Sequence, residues 1–234
     1  MAKRISAIIP AYNEADIIRD TVSAVRRIPG LTQVIVVDDA SSDDTAQIAV
    51  DAGATSVVRL DINSGKGGAL NAGFSCADGD IILLLDADLG ESAFEGWKLL
   101  QPVIDDEADM TIGQFNKAAE ISSEKLSAGS RGFGTAVKIA RLGIKILTGN
   151  DIAAPLSGQR AIKREIIEGM GSFSSRFAVE TGMTIDVIRM GGRVVEVPVN
   201  MGHRASGRDL RGFLHRGRQM MDILHILMIK AIRR

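Results

Sequence analysis

Four short, largely apolar runs rich in β-branched residues punctuate the first half of the chain: Ile5–Ile9, Gln33–Val37, Ser56–Leu60 and Ile81–Leu85. Their brevity and continuity mark strands covered on both faces, not the alternation of a half-solvated sheet. Between them, Asp16–Arg27, Asp43–Ala52 and Gly68–Ala77 place apolar residues at helical spacing. Strand and helix in alternation predict right-handed crossovers and a parallel sheet, whose ligands bind beyond the carboxyl ends of the strands. Polar residues gather at those ends. Pro10-Ala11-Tyr12-Asn13-Glu14 follows the first strand and Asp38-Asp39-Ala40-Ser41-Ser42-Asp43 the second. Asn63-Ser64-Gly65-Lys66-Gly67-Gly68 follows the third, and Asp86-Ala87-Asp88 the fourth.

The second half is patterned less sharply. It reads as an exposed loop over Gly113–Leu126, a helix over Gly134–Leu147 and a strand over Pro155–Ile162. A second helix, Phe177–Met190, and a strand, Arg193–Val197, follow. Asp209 through Ile232 forms a long amphipathic helix with Leu210, Phe213, Leu214, Met221, Leu224, Leu227, Met228 and Ala231 along one face. Trp97 and Met220–Met221 read as core, and no internal repeat or low-complexity tract is present.

Composition narrows the class. With 45% hydrophobic and 24% charged residues in 234, the chain has the balance of a globular protein. Its 25 glycines show no collagen period, and five prolines are too few for a disordered linker. A net charge of −1 supplies no field toward nucleic acid. The sum hides an asymmetry, because residues 208–234 hold seven basic side chains against Asp209 and Asp222. The terminal helix could therefore pack on the rest of the chain, pair in a homodimer or lie on an anionic membrane. Cys76 is the only cysteine, so no internal disulfide forms and a reducing compartment is expected. Met1-Ala2-Lys3-Arg4 lacks the apolar stretch of a signal peptide, and the best apolar run, Ile223–Ile229, falls short of the ~18 residues of a membrane span. These features together predict a cytoplasmic protein, with peripheral attachment to the inner face of a membrane as the variant.

The strand-end residues suggest a chemistry. At the end of an extended strand, residues two apart point the same way, so Asp86 and Asp88 can converge on a cation. Carboxylate oxygens suit Mg²⁺ or Mn²⁺, which in turn hold a diphosphate; capping acids on a turn are the plainer reading. Gly65-Lys66-Gly67-Gly68 is neither a Walker A loop, having Asp61 and Gly67 at its defining positions, nor a dinucleotide fingerprint, having Leu70 at the third glycine. What remains is a lysine at a helix N-terminus, where backbone N–H groups and the ammonium could face an anion, or a solvated glycine turn. Asp38 and Asp39 could bind a base or ribose or cap a helix. Glu14 could be a first-turn acid, and His203 a metal ligand or a structural histidine.

In combination, Pro10–Glu14, Val37–Thr45, Gly65–Leu70 and Asp86-Ala87-Asp88 resemble the GT-A glycosyltransferases of family 2, with a Rossmann-like, mainly parallel α/β sheet. That resemblance implies that Pro10, Tyr12, Glu14, Asp39, Lys66, Asp86 and Ala87 border the nucleotide-sugar, and that Asp86 and Asp88 hold Mg²⁺ or Mn²⁺. The segments Pro155–Ala161, Phe177–Asp186 and His203-Arg204 are similar to glucosyl-3-phosphoglycerate synthases and to polyprenyl-phosphate sugar synthases. The first likeness implies His203 as third metal ligand, and Gly158, Gln159 and Arg160, with Arg131 and Thr135, at the sugar and acceptor. Residues 1–206 would form the catalytic domain, its nucleotide half ending near residue 90, and 207–234 the terminal helix.

Two departures matter. Many inverting members carry a Glu-Asp pair whose aspartate deprotonates the acceptor; here the pair is Glu180-Thr181. The acceptor would then be an already ionised phosphate, or the reaction would retain configuration, or Glu180 or Asp186 would act as base. Phe133 also replaces the arginine of the phosphoglycerate-binding segment, with Arg131 nearby. The resemblance thus implies transfer from a UDP-sugar such as UDP-glucose, or second a GDP-sugar, to a phosphate-bearing acceptor, with Asp88 and Glu180 in the catalytic centre. A catalytically inactive nucleotide-sugar-binding protein acting through its terminal helix is the alternative. A phosphohydrolase with nucleophilic Asp86 fits poorly, since that aspartate follows the first strand in such enzymes.

Overall fold

The computed structural model describes residues 3–115, 131–174, 178–202 and 210–232, with side chains except at 131–133 and 210–219. Among the described residues, seven strands form one sheet: β1 (Ile5–Ala11), β2 (Leu31–Asp38), β3 (Ser56–Arg59), β4 (Ile81–Leu84), β5 (Met110–Phe115), β6 (Arg160–Lys163) and β7 (Val194–Val199). Their spatial order is β3-β2-β1-β4-β6-β5-β7. β1, β2, β3 and β4 run parallel, while β6 enters antiparallel between β4 and β5. The four expected first-half strands are all present, and the sheet passes unbroken into the second half.

Both faces of the sheet are covered. Ile5, Ala7 and Ile9 of β1 meet α1 (Ile18–Arg26), α2 (Thr45–Asp51) and α4 (Trp97–Ile104) in one apolar cluster. Ile8 points the other way, into a cluster with α3 (Gly65–Cys76), α5 (Arg131–Thr148), α6 (Arg164–Met170) and α7 (Val179–Arg189). Alternate residues of one strand thus feed two cores, which is why the strand runs show no polar alternation. Contact with α3 is close enough to require a glycine: a Cβ at Gly73 would lie 2.5 Å from Ile8 Cγ2 and 3.0 Å from Val37 Cγ2. Gly73→Ala is expected to cost about 1–2 kcal/mol, overpacking outweighing alanine's better helix propensity. Its urea midpoint should fall with the slope unchanged.

Several expectations need correction. The exposed loop over Gly113–Leu126 begins inside β5, where Gly113 is buried and a Cβ would sit 3.2 Å from Gln159 Cβ; residues 116–126 lie outside the described set. That glycine signals close strand approach, not a break. The strand expected over Pro155–Ile162 is confined to Arg160–Lys163, preceded by a loop. Trp97, at the start of α4, is 40% exposed, so it is not core. α4, α6 and a 3₁₀ segment, Ala87–Gly96, are elements that the periodicity did not show.

The terminal helix α8 (Leu210–Ile232) also turns differently. Ile223 and Ile226 are buried against Ala136 and Ala140 of α5 and Ala178, with Met220 and Leu227 beside them. Of the anticipated stripe, Met221, Leu224 and Met228 are exposed, and Leu210, Phe213 and Leu214 carry no described side chain. With apolar residues around most of its circumference, the helix offered two stripes. Neighbours chose between them: Leu227 fits against Gly143, and Lys230 Nζ pairs with Asp186 at 2.6 Å. No described helix is long and apolar enough to cross a membrane.

Candidate active site

The register that pairs Ala11 with Asp38 brings the ends of β1 and β2 level. Their loops then lock together. Asn13 donates its amide to Ser41 Oγ at 2.9 Å and accepts Ser42 N at 2.8 Å on its side-chain oxygen. Glu14 N donates to Thr45 Oγ1 at 2.8 Å, and Ala15 N to Asp43 Oδ2 at 3.1 Å. Asn13 sits at φ +57°, which an asparagine tolerates; Ala40, at +62°, is strained. The strain is enforced from both sides, by Asp39 N on Ala11 O at 2.9 Å and Ser41 N on Asp38 Oδ1 at 3.0 Å. Glu14 is not a first-turn acid: its carbonyl starts the turn that leads into α1, whose first-turn acid is Asp20.

Asp39 is nearly buried and accepts Ser64 N at 2.7 Å and Gly65 N at 2.8 Å, one on each oxygen. It therefore ties the glycine loop to β2 and caps α3. That helix begins at Gly65, three residues before the expected Gly68, and Gly65 takes φ +72°, which glycine adopts without a Cβ penalty. These two amides serve Asp39, so they are not the ones that could face an anion together with the Lys66 ammonium. Asp38 is fully buried, its second oxygen 3.4 Å from Arg59 Nε.

Lys66 Nζ lies 2.6 Å from Asp86 Oδ1 and 2.7 Å from Glu180 Oε1. Gln159 Nε2 donates to the other Asp86 oxygen at 2.8 Å. This meeting follows from topology: Leu84 pairs with Arg160 across β4 and β6, which sets Gln159 beside the tip of β4. Gly158 completes the cluster, since a Cβ there would lie 2.7 Å from both Asp86 oxygens and against Lys66 Nζ. Burial alone would push the ammonium toward neutrality, but Asp86 and Glu180 reverse this and hold its pKa well above the ordinary lysine value.

Asp86 and Asp88 are both half-buried around buried Ala87, but not through strand alternation. β4 ends at Leu84; Asp86 is extended and Asp88 stands in the first turn of the 3₁₀ segment. Among the described residues no group of three His, Cys, Asp or Glu side chains converges, and His203 lies outside them. The chemistry of the motif still suits a hard divalent ion, since Asp86 already holds a cationic group at 2.6 Å and Asp88, two residues on, is also a carboxylate.

Arg160 corrects a sequence expectation. It is fully buried, donating to Ser157 O at 2.9 Å, Thr184 Oγ1 at 2.8 Å and Pro155 O at 3.3 Å, so it offers nothing to a sugar. Burial pushes its pKa down to about 10, with Glu180, Glu196 and Asp86 opposing. Glu196 of β7 supports the same loop by accepting Ala153 N at 2.9 Å and Ala154 N at 2.6 Å. Together they hold the 153–158 segment, and with it Gly158. Tyr12 is 51% exposed just after β1 and Pro10 half-buried near the end of that strand, while Thr135 is exposed near the start of α5 and the Arg131 side chain is undescribed. Asp186 is engaged by Lys230 through both oxygens. Asn13, Thr45 and Glu196 were not anticipated as organisers. Asn13 stood in a noted motif; Glu196 carried no local signal.

Solved structures share this architecture. Glucosyl-3-phosphoglycerate synthase from Mycobacterium tuberculosis, in complex with Mn²⁺, uridine-diphosphate-glucose and phosphoglyceric acid, matches at TM-score 0.80 and 24% identity, over 97% of this chain and 79% of that one. The same enzyme with Mg²⁺ and uridine-diphosphate matches at TM-score 0.78 and 24% identity, again over 97% and 79%. The fold class is therefore GT-A. Glycosyltransferase AglJ of Haloferax volcanii is 31% identical over 86% of this chain and 64% of its own length. Undecaprenyl-phosphate 4-deoxy-4-formamido-L-arabinose transferase of Klebsiella pneumoniae is 30% identical over 99% of this chain and 69% of its own. The sequence model described as glycosyl transferase family 2 matches residues 6–171. The chain belongs to that family.

Proposed function

We propose that this chain transfers a sugar from a nucleoside-diphosphate donor, UDP favoured over GDP, to a phosphate-bearing acceptor with the help of Mg²⁺ or Mn²⁺. The observation that carries the reading is the cluster at the tip of β4, where Asp86, Lys66, Glu180, Gln159 and Gly158 meet beyond the strand ends. Asp86 and Asp88, with His203 as the third candidate, would hold the ion; bound there, it would neutralise charge developing on the departing nucleotide. Lys66 supplies a fixed positive charge at the same place. Tyr12, Glu14 and the clasped β1 and β2 loops would border the base and ribose. Residues 1–206 would be the catalytic unit.

The acceptor class follows from what the carboxylates are doing. Glu180 is engaged by Lys66 and Asp186 by Lys230, so neither is poised to take a proton from a hydroxyl. A phosphate oxygen is already ionised and needs no base. Polyprenyl phosphate is favoured over phosphoglycerate by the undecaprenyl phosphate in the Klebsiella relative's name and by the apolar surface of α8, where Met221, Leu224, Met228 and Ile232 are exposed. It would bring the chain to a membrane surface.

The test is transfer of labelled sugar from UDP- and GDP-sugars to a short-chain polyprenyl phosphate in detergent, beside 3-phosphoglycerate, with Mn²⁺ and with EDTA. Chelation should remove about 99% or more of turnover, matching several kcal/mol of barrier, and Mn²⁺ should restore it. Transfer unaffected by EDTA would defeat the metal reading. Donor binding without transfer to any acceptor would favour the inactive binding protein.

A further inference from the structure

Lys66 brings a positive charge onto the carboxylate that a metal ion would need. Its ammonium is 2.6 Å from Asp86 and 2.7 Å from Glu180, and Gln159 holds the opposite Asp86 oxygen at 2.8 Å. The packing is tight enough that Gly158 has no room for a methyl group. Two carboxylates thus share one cation. A divalent ion arriving alone meets that ammonium at close range, while a diphosphate arriving alone meets the two carboxylates. Arriving together, each offsets the repulsion that the other faces, because the diphosphate can take both the ion and the lysine.

We propose that Lys66 is a built-in counter-cation that caps Asp86 and is kept there by Glu180, so that metal and diphosphate are accepted as a pair. Glu180 is then a positioning residue, acting through Lys66 and not on the acceptor. The inference rests on the donor reading given above. By linkage, the factor by which metal strengthens nucleotide binding equals the factor by which nucleotide strengthens metal binding.

Calorimetry on the full chain, with Mn²⁺ alone, UDP alone and each in the presence of the other, reads this directly. The unaltered protein should show coupling of about tenfold or more in both titrations. Lys66→Met should bind Mn²⁺ alone about fivefold more tightly, its carboxylates having lost their cation, yet bind UDP in saturating Mn²⁺ about tenfold more weakly. Those opposite signs are not expected of a residue that merely supports the fold. Glu180→Gln keeps shape and volume; it should bind UDP alone more tightly and lose about fivefold or more of the coupling. Should Lys66→Met fail to fold, as circular dichroism would show, Glu180→Gln alone decides. Equal coupling in every folded protein, or weaker Mn²⁺ binding in Lys66→Met, overturns the proposal while leaving the donor reading intact. Failure of the unaltered chain to bind UDP or GDP at any metal concentration removes both.

Discussion

Gly158→Ala is expected to lower donor affinity and turnover by about a hundredfold while leaving the protein folded. The added methyl would stand 2.7 Å from both Asp86 oxygens and against Lys66 Nζ. Lys66 can withdraw along its flexible stem, but Asp86 is also held by Gln159 at 2.8 Å, so the carboxylate and the loop must part. Displacement of about 1 Å in a reacting constellation is enough for a loss of that size. Global stability should suffer far less, because the strain can be relieved by side-chain ends at a partly exposed site; the Lys66 and Asp86 side chains are 24% and 22% exposed. Calorimetric UDP affinity with Mn²⁺, steady-state kinetics and urea unfolding on the same preparation separate the two. Kinetics within a few-fold of the parent would show that the observed packing of Gly158 is not the packing that binds donor.

Asp88→Asn should be equally damaging, by a different route. It preserves size and most hydrogen bonding while removing one negative charge from the first turn of the 3₁₀ segment, beside Asp86. A hard divalent ion held by carboxylates depends on that charge. Turnover should fall on the order of 10²–10³, as when one main electrostatic contact to the transition state is removed. The loss should appear in Mn²⁺-dependent UDP binding and scarcely at all in UDP binding without metal. Near-parental activity would shift the metal role onto other side chains, and an equal loss with and without metal would make Asp88 a direct nucleotide contact.

The contrast between these two positions shows what was legible beforehand. The acidic tripeptide and the lysine loop could be read from residue order, because each lies at the end of a continuous apolar run. Gly158 could be placed near the site only by resemblance. Its reason for being glycine depends on β6 running antiparallel beside β4, a pairing between distant segments. Arg160 shows the limit of such reading. A motif arginine beside a glycine suggested a ligand contact, whereas its donors go to Ser157, Pro155 and Thr184 inside the protein. Asp39 likewise stood in the expected place, but engaged with the amides of Ser64 and Gly65.

Local pattern was sufficient for the alternating half of the fold, since buried parallel strands and their crossover helices leave their periods in the chain itself. It also sufficed to locate the polar ends of β1, β2, β3 and β4. Tertiary structure alone decided the partners: that Lys66 spans Asp86 and Glu180, that Glu196 steadies the loop before Gly158, and that α8 buries Ile223 and Ile226 instead of Met221 and Met228. Charges and apolar faces are properties of a residue and its near neighbours. Which opposite charge is reached, and which face is covered, depends on segments that meet only after the chain has folded.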